Sequence, residues 1–300
     1  MPFPLTMFKI FLLCLLCLIW GSTWWVIKVG LEFMPPFFGA SIRFFISGLV
    51  LLSIAFLRGE LFPKQSRFFL LAIFFSISMY TLPYALVYWS EQYIPSGLAA
   101  VLFSTLPFYV TILAHFFLPE EESLSFWKVI GIIVGFSGIV FIFFEQIHFS
   151  EPQTFWGLVA ISASPISSAS ASVVGRRWAR EYSPVTLNIL PMTLASVILF
   201  GLSLMTERGL KFEWNFVPVA SLLYLALFGT CLAFVIYFWL LKRIEASKLS
   251  LIAYITPIIA LLVGVLFGKE TISARLLVGS SLVVLGIILV TKIGKKTNQT

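Results

Sequence analysis

Aspartate is absent from this sequence, and its thirteen acidic side chains are all glutamates. Histidine occurs twice, as His115 and His148, well apart in the chain. Enzymes that work by acid–base or metal chemistry gather carboxylates, histidines or metal ligands in one place. Little here could build such a site, and the one acidic cluster, Glu120–Glu122, sits in a short loop beside Pro119. Cysteine is scarce too: Cys14, Cys17 and Cys231 all fall inside apolar runs, which reads as small packing residues with no disulfide. No G-x-x-x-x-G-K-[ST] loop is present, which argues against direct ATP drive.

Charge is the largest deficit. Only 11% of the 300 residues are charged, against about 25% in soluble domains, while 60% are hydrophobic and mean hydropathy is +1.02. That composition excludes a soluble globule. The net charge of +7 and pI near 9.4 invite a nucleic-acid reading. The basic residues sit in short loops between apolar runs, however, so membrane topology explains them and no nucleic acid is expected.

What is present is a succession of apolar runs, many near the roughly 20 residues that cross a bilayer. Breaks at charges, prolines and turn residues predict ten helices, at about 9–28, 36–57, 68–90, 94–118, 125–144, 155–175, 184–206, 215–241, 249–268 and 275–292. The first run passes through Trp20, Trp24 and Trp25 without a cleavage site, so it reads as a retained span rather than a signal peptide. With the N-terminus inside, 14 Lys and Arg fall on the cytoplasmic side and 5 outside, leaving Arg43 within a span. That bias predicts a multi-pass protein of the cell inner membrane with both termini cytoplasmic.

The two halves repeat each other. Tyr88–Pro107 aligns with Tyr237–Pro257, bringing Ile94 onto Ile244 and proline onto proline. Further on, Glu122-Ser-Leu-Ser meets Glu270-Thr-Ile-Ser, Gly131 meets Gly279 and Gly138 meets Gly286. Near the start of each half, Met34-Pro35 meets Ser183-Pro184 and Lys28 meets Arg177. The predicted fold class is therefore all-α integral membrane: ten transmembrane helices as two inverted five-helix repeats, over 1–150 and 151–300. Five spans per half make the second copy enter upside down, an arrangement in which transporters place their site at the repeat interface.

The ordered set of motifs resembles the EamA family of the drug/metabolite transporter superfamily. It comprises W-G-S-T-W-W-V-I-K-V-G at Trp20–Gly30, P-P-F-F-G-A-S-I-R-F at Pro35–Phe44, L-P-F-Y-V-T-I-L-A from Leu106 and L-L-V-G-V-L-F-G-K-E-T-I-S from Leu261. The glycine-spaced fifth and tenth spans complete it. The resemblance spans essentially the whole chain. It implies ten helices around a central cavity and transport, usually export, of amino acids or related small polar metabolites. The small cationic-drug exporters of that superfamily carry a glutamate within the first helix, whereas this first span has no carboxylate between Lys9 and Glu32. Cationic drugs and carboxylate-based proton coupling are both disfavoured on that ground, with Glu32, Glu91 and His115 as the remaining span-end candidates.

The candidate substrate-binding residues are Arg43, Tyr80, Tyr84, Trp20, Trp24, Pro107, Tyr254 and Pro257. A charge at a helix centre costs about 2.5–3.5 kcal/mol on insertion scales, so Arg43 should face the protein interior. It would serve there either as an anion-binding group or as a structural arginine on loop carbonyls or Glu32. Tyr80, Tyr84 and Tyr88 recur every four residues on one helical face. The deeper two suit a cavity wall, whereas Tyr88 and Trp89 suit the membrane interface. Pro107 and Pro257 occupy matched places and should kink the fourth and ninth spans. Lys28 reads as a snorkelling interface lysine or as a guard of an outer vestibule. Ser164, Ser168 and Ser172 read as a small-residue packing face, with a polar cavity wall as the alternative. The functional reading is a secondary transporter with no cofactor or metal, a small-molecule substrate, membrane lipids around it and a monomer or homodimer state. An integral-membrane lipid-modifying enzyme is the alternative.

Overall fold

A computed structural model describes residues 5–60, 62–117, 125–147, 151–179, 181–209, 212–213, 215–243, 249 and 251–290. Side chains of residues 5–6, 143–147, 251 and 254 fall outside that description. Every regular element among the described residues is helical. In hydrocarbon, backbone groups have no water to bond, so a continuous apolar run satisfies them only by coiling.

The helices are α1 (Leu5–Leu31), α2 (Pro36–Leu57), α3 (Ser66–Ser90), α4 (Ser96–Phe117) and α5 (Phe126–Ile147). They continue as α6 (Pro152–Trp178), α7 (Pro184–Thr206), α8 (Phe216–Leu241), α9 (Leu251–Gly268) and α10 (Ala274–Ile288). Seven of these, α1–α4 and α6–α8, are long and apolar enough to cross a membrane; α5, α9 and α10 contribute shorter apolar stretches. Local signals set the ends. Pro36 and Pro184 open α2 and α7 where the missing N–H costs nothing. Ser183, Asn215 and Ser273 accept a backbone N–H at the starts of α7, α8 and α10. Gly59 and Gly209, which follow α2 and α7 at equivalent places, turn the chain at φ +63° and +84°.

Two helix pairs pack antiparallel with reciprocal contacts. After α7, Glu207 accepts the N–H groups of Phe37 and Phe38 at the start of α2, at 2.7 and 3.0 Å. After α2, Glu60 accepts the hydroxyl of Ser183, the N-cap of α7, at 2.7 Å. Each glutamate thus lies against the positive end of the other's helix. In the second pair, α5 and α10 meet through glycines. A Cβ on Gly131 would sit 2.7 Å from the Gly286 carbonyl oxygen, and one on Gly138 2.6 Å from that of Gly279. In the reverse placements a Cβ on Gly286 would sit 2.5 Å from the Gly131 carbonyl oxygen, and one on Gly279 3.1 Å from that of Gly138.

Two departures from regular helix were not legible in the sequence. α3 and α8 each contain a widened π-helical turn, at Ser76–Thr81 and Leu227–Leu232. α4 breaks at Ser104–Thr105, just before Pro107, whereas α9 runs unbroken past Pro257. The predicted pair of matched kinks is therefore one break and one proline inside a continuous helix.

Candidate functional site

The widened turn in α8 releases carbonyls from the helical ladder, and polar side chains of α1 and α2 take them up. Arg43 donates from Nη2 to the Gly229 carbonyl at 3.3 Å and from Nε to the Thr230 hydroxyl at 2.6 Å. Trp20 Nε1 donates to the same Gly229 carbonyl at 3.3 Å. Ser47 donates to the Ala226 carbonyl at 2.9 Å, and Thr230 reaches back to that of Leu225 at 2.8 Å. Arg43 also approaches the Tyr88 hydroxyl at 3.4 Å and lies over the Tyr84 ring at 4.8 Å. It is wholly buried, and the expected alternative of pairing with Glu32 is not what holds it. A guanidinium has five N–H groups in a rigid fork, which suits it to several carbonyl and hydroxyl acceptors.

Beside this knot lies a cavity of about 260 Å³, bounded by α1–α4, α6, α8 and α9. Six of the eight candidate residues line it: Trp20, Trp24, Arg43, Tyr84, Pro107 and Pro257. Tyr80 does not. The widened turn of α3 breaks the four-residue register, so Tyr80 is fully buried with its hydroxyl on the Asn188 side-chain oxygen of α7. Tyr254 lies outside the described side chains. Tyr88, expected at the membrane interface, is buried against Arg43 instead.

The wall also holds groups that sequence reasoning passed over. Arg176, counted only as a topology signal, lines the cavity near the end of α6, close to Tyr237 of α8. Phe103 and Phe234 add aromatic surface, with Phe103 against Trp24 and Phe234 against Trp20 at ring distances of 5.3 and 5.6 Å. The repeat alignment could have flagged Tyr237, because it falls opposite Tyr88 there. The serine face of α6 divides. Ser164 is buried and donates to the Pro83 carbonyl at 3.1 Å, while Ser168 and Ser172 line the cavity. Among the described residues, two arginines and no carboxylate form the wall.

At the end of the lining away from Arg176 stand Ile27, Val87 and Ala100, all three buried. Immediately beyond, Lys28 donates from Nζ to the carbonyls of Glu91 and Ile94, at 2.5 and 3.0 Å. These bonds tie α1 to the α3–α4 turn, so Lys28 is not a snorkelling residue. The turn is held from a third side by Glu270, which accepts from the Ser96 N–H and hydroxyl and from the Gly97 N–H at 2.6–3.1 Å.

Sequence comparison places this geometry in a known setting. The model of the EamA-like transporter family matches the chain twice, over residues 7–144 and 155–292. A transporter of Archaeoglobus fulgidus is 31% identical over 95% of this chain and 99% of its own length. The inner membrane transporter YedA of Escherichia coli is 30% identical over 92% of this chain and 88% of its own. The transporter YoaV of Bacillus subtilis is 29% identical over 91% and 92%. A crystal structure superposes with a TM-score of 0.71 over 96% of this chain and 98% of that one, at 18% identity.

Proposed function

Since the chain belongs to the EamA-like transporter family, we propose that it is a secondary transporter exporting small polar metabolites, amino acids foremost. Its cargo would occupy the cavity between two inverted five-helix repeats, residues 1–150 and 151–300, that together span the inner membrane ten times. The reciprocal contacts of α2 with α7 and of α5 with α10 support the inversion, because equivalent residues meet across each pair. Both termini would be cytoplasmic, which puts Arg176 at the inner end of the cavity and Lys28 at the outer.

The observation that carries the reading is the composition of the cavity wall: Arg43 and Arg176, tryptophan and tyrosine faces, serine hydroxyls and no carboxylate among the described residues. At about 260 Å³ it falls below the roughly 300–1,000 Å³ of drug-sized pockets, so the cargo is small. With three N–H groups engaged, Arg43 keeps two for a carboxylate, and the aromatic faces suit an apolar side chain or an ammonium. A lipid-modifying enzyme would need paired acids or histidines here, and nothing in the wall favours it.

Proteoliposomes loaded with a radiolabelled amino-acid panel should release the hydrophobic and aromatic members faster than empty-membrane controls. Organic acids, nucleobases and sugar phosphates complete the panel. Failure of every compound to move would overturn the reading.

A further inference from the structure

Glu91 is wholly buried, and neither of its carboxyl oxygens has a hydrogen-bond partner among the described residues. It occupies the turn after α3, one helical turn beyond Val87, where the cavity ends. The charged and titratable groups facing it come from every element packed there. They are Lys28 of α1, with Glu32 beyond it, Arg43 of α2, Tyr88 of α3 and Glu270 of the α9–α10 connection. Lys28 spends its bonds on the backbone carbonyls of Glu91 and Ile94, and Glu270 spends its oxygens on Ser96 and Gly97. The carboxyl is thus enclosed in the contact that shuts the cavity, close to a cation yet not hydrogen-bonded to it.

Leaving an ionised carboxylate buried without hydrogen bonds costs several kcal/mol, which a bound proton removes. We propose that Glu91 is a proton-binding site of the outer plug, neutral while the plug is shut and ionised once it opens. This inference rests on the transport reading for which side is outer. Opening pulls Lys28 off the two carbonyls and admits water. The Glu91 O–H bond then breaks, its proton passes to external water, and the new carboxylate pairs with the freed ammonium. Closing runs the same step backwards, with a proton taken from outside. No net proton crosses the membrane, so external acid sets the open fraction without driving the cargo.

The sign follows from the two environments. Burial, the largest effect, pushes the shut-state carboxyl well above the usual carboxylate range; Lys28 and Arg43 oppose that and Glu270 adds to it. A water-exposed glutamate titrates near 4.3. The shut plug is therefore favoured fully below the exposed value, and that advantage fades as pH rises toward the shut-state value. One proton limits the change to about tenfold in the open-to-shut ratio per pH unit.

Two readouts use protons and a thiol reagent, and neither needs a cargo, so they fail independently of the transport reading. Infrared spectra of the full-length protein in lipid at neutral pH should contain a protonated-carboxyl band that disappears in Glu91→Gln. With the three native cysteines replaced by serine, Val87→Cys should be labelled from outside by a membrane-impermeant maleimide. Because maleimide reacts with the thiolate, whose fraction itself rises with pH, the rate is divided by that of a cysteine at the exposed outer position Arg208 (Arg208→Cys). This ratio should rise with external pH, and become low and flat when Glu91→Gln is added. Glu91→Gln keeps the shape and neutrality of the protonated acid, so the variant is expected to fold. Loss of the band at neutral pH in the parent, or an identical pH profile in Glu91→Gln, would overturn the proposal.

Discussion

Arg43, Tyr84 and Tyr80 separate binding from support. Its guanidinium satisfies the carbonyl freed at Gly229 and the Thr230 hydroxyl, so removing it strips partners from α8 as well as from any cargo. Arg43→Lys keeps the charge but loses the planar fork, and should weaken an anionic cargo by about 1.5–3 kcal/mol, read from competition binding. Neutral compounds should change less. A stable Arg43→Gln protein with unchanged affinity for every anionic compound would leave Arg43 a purely structural role. The tyrosines should behave oppositely. Tyr80→Phe abandons the Asn188 oxygen in the interior and should cost about 1–3 kcal/mol of stability with cargo preference intact. Tyr84→Phe, on the cavity wall, should alter affinity with little effect on melting.

Among the elements, α5 with α10 and α4 with α9 carry distinct expectations. A methyl on Gly131 would meet the Gly286 carbonyl oxygen at 2.7 Å and the Val290 N–H nitrogen at 2.8 Å, backbone atoms that cannot swing aside as a side chain could. Gly131→Ala should therefore cost about 1–3 kcal/mol, measured by thermal unfolding in detergent. Gly201 of α7 has open space around its would-be Cβ, and Gly201→Ala should be neutral or stabilising by up to about 1 kcal/mol. Equal melting of the two variants would contradict the tight α5–α10 seam. Pro107 stands just past the break of α4 and Pro257 inside a continuous α9, both on the cavity wall. If both helices bend during transport, Pro107→Ala and Pro257→Ala should each slow counterflow while folded protein accumulates normally. Normal counterflow by both would remove the prolines from the cycle.

At the scale of the whole molecule, the prediction is topological. The 14-to-5 distribution of basic residues predicts both termini inside. Phosphatase or fluorescent reporters fused at Lys295 and within the connection between α5 and α6 should therefore report opposite sides. Finding them on one side would defeat the ten-span arrangement. A reporter at Lys295 on the cytoplasmic side would also fix the plug at Lys28 and Glu91 as the outer end.

The apolar runs, the family motifs and the half-to-half correspondence were all readable from residues. Each is a property of composition or spacing, and hydrocarbon leaves such a chain no choice but helix. The candidate wall residues Trp20, Trp24, Arg43, Tyr84, Pro107 and Pro257 were readable for the same reason, as polar, aromatic or proline residues within apolar spans. Tyr80 went astray because a widened turn in α3 shifts the helical register and no local signal marked it, and Tyr88 because Arg43 of α2 packs on it and buries it near the span end. Arg176 and Glu91 look in the sequence like ordinary span-end charges. Whether such a residue meets water, a carbonyl or an enclosed gap depends on helices far away in the chain: Lys28 and Glu270 lie about 60 and 180 residues from Glu91. Sequence spacing sets the period of a helix, but the burial of a charge is set by packing, and only the tertiary structure decided it.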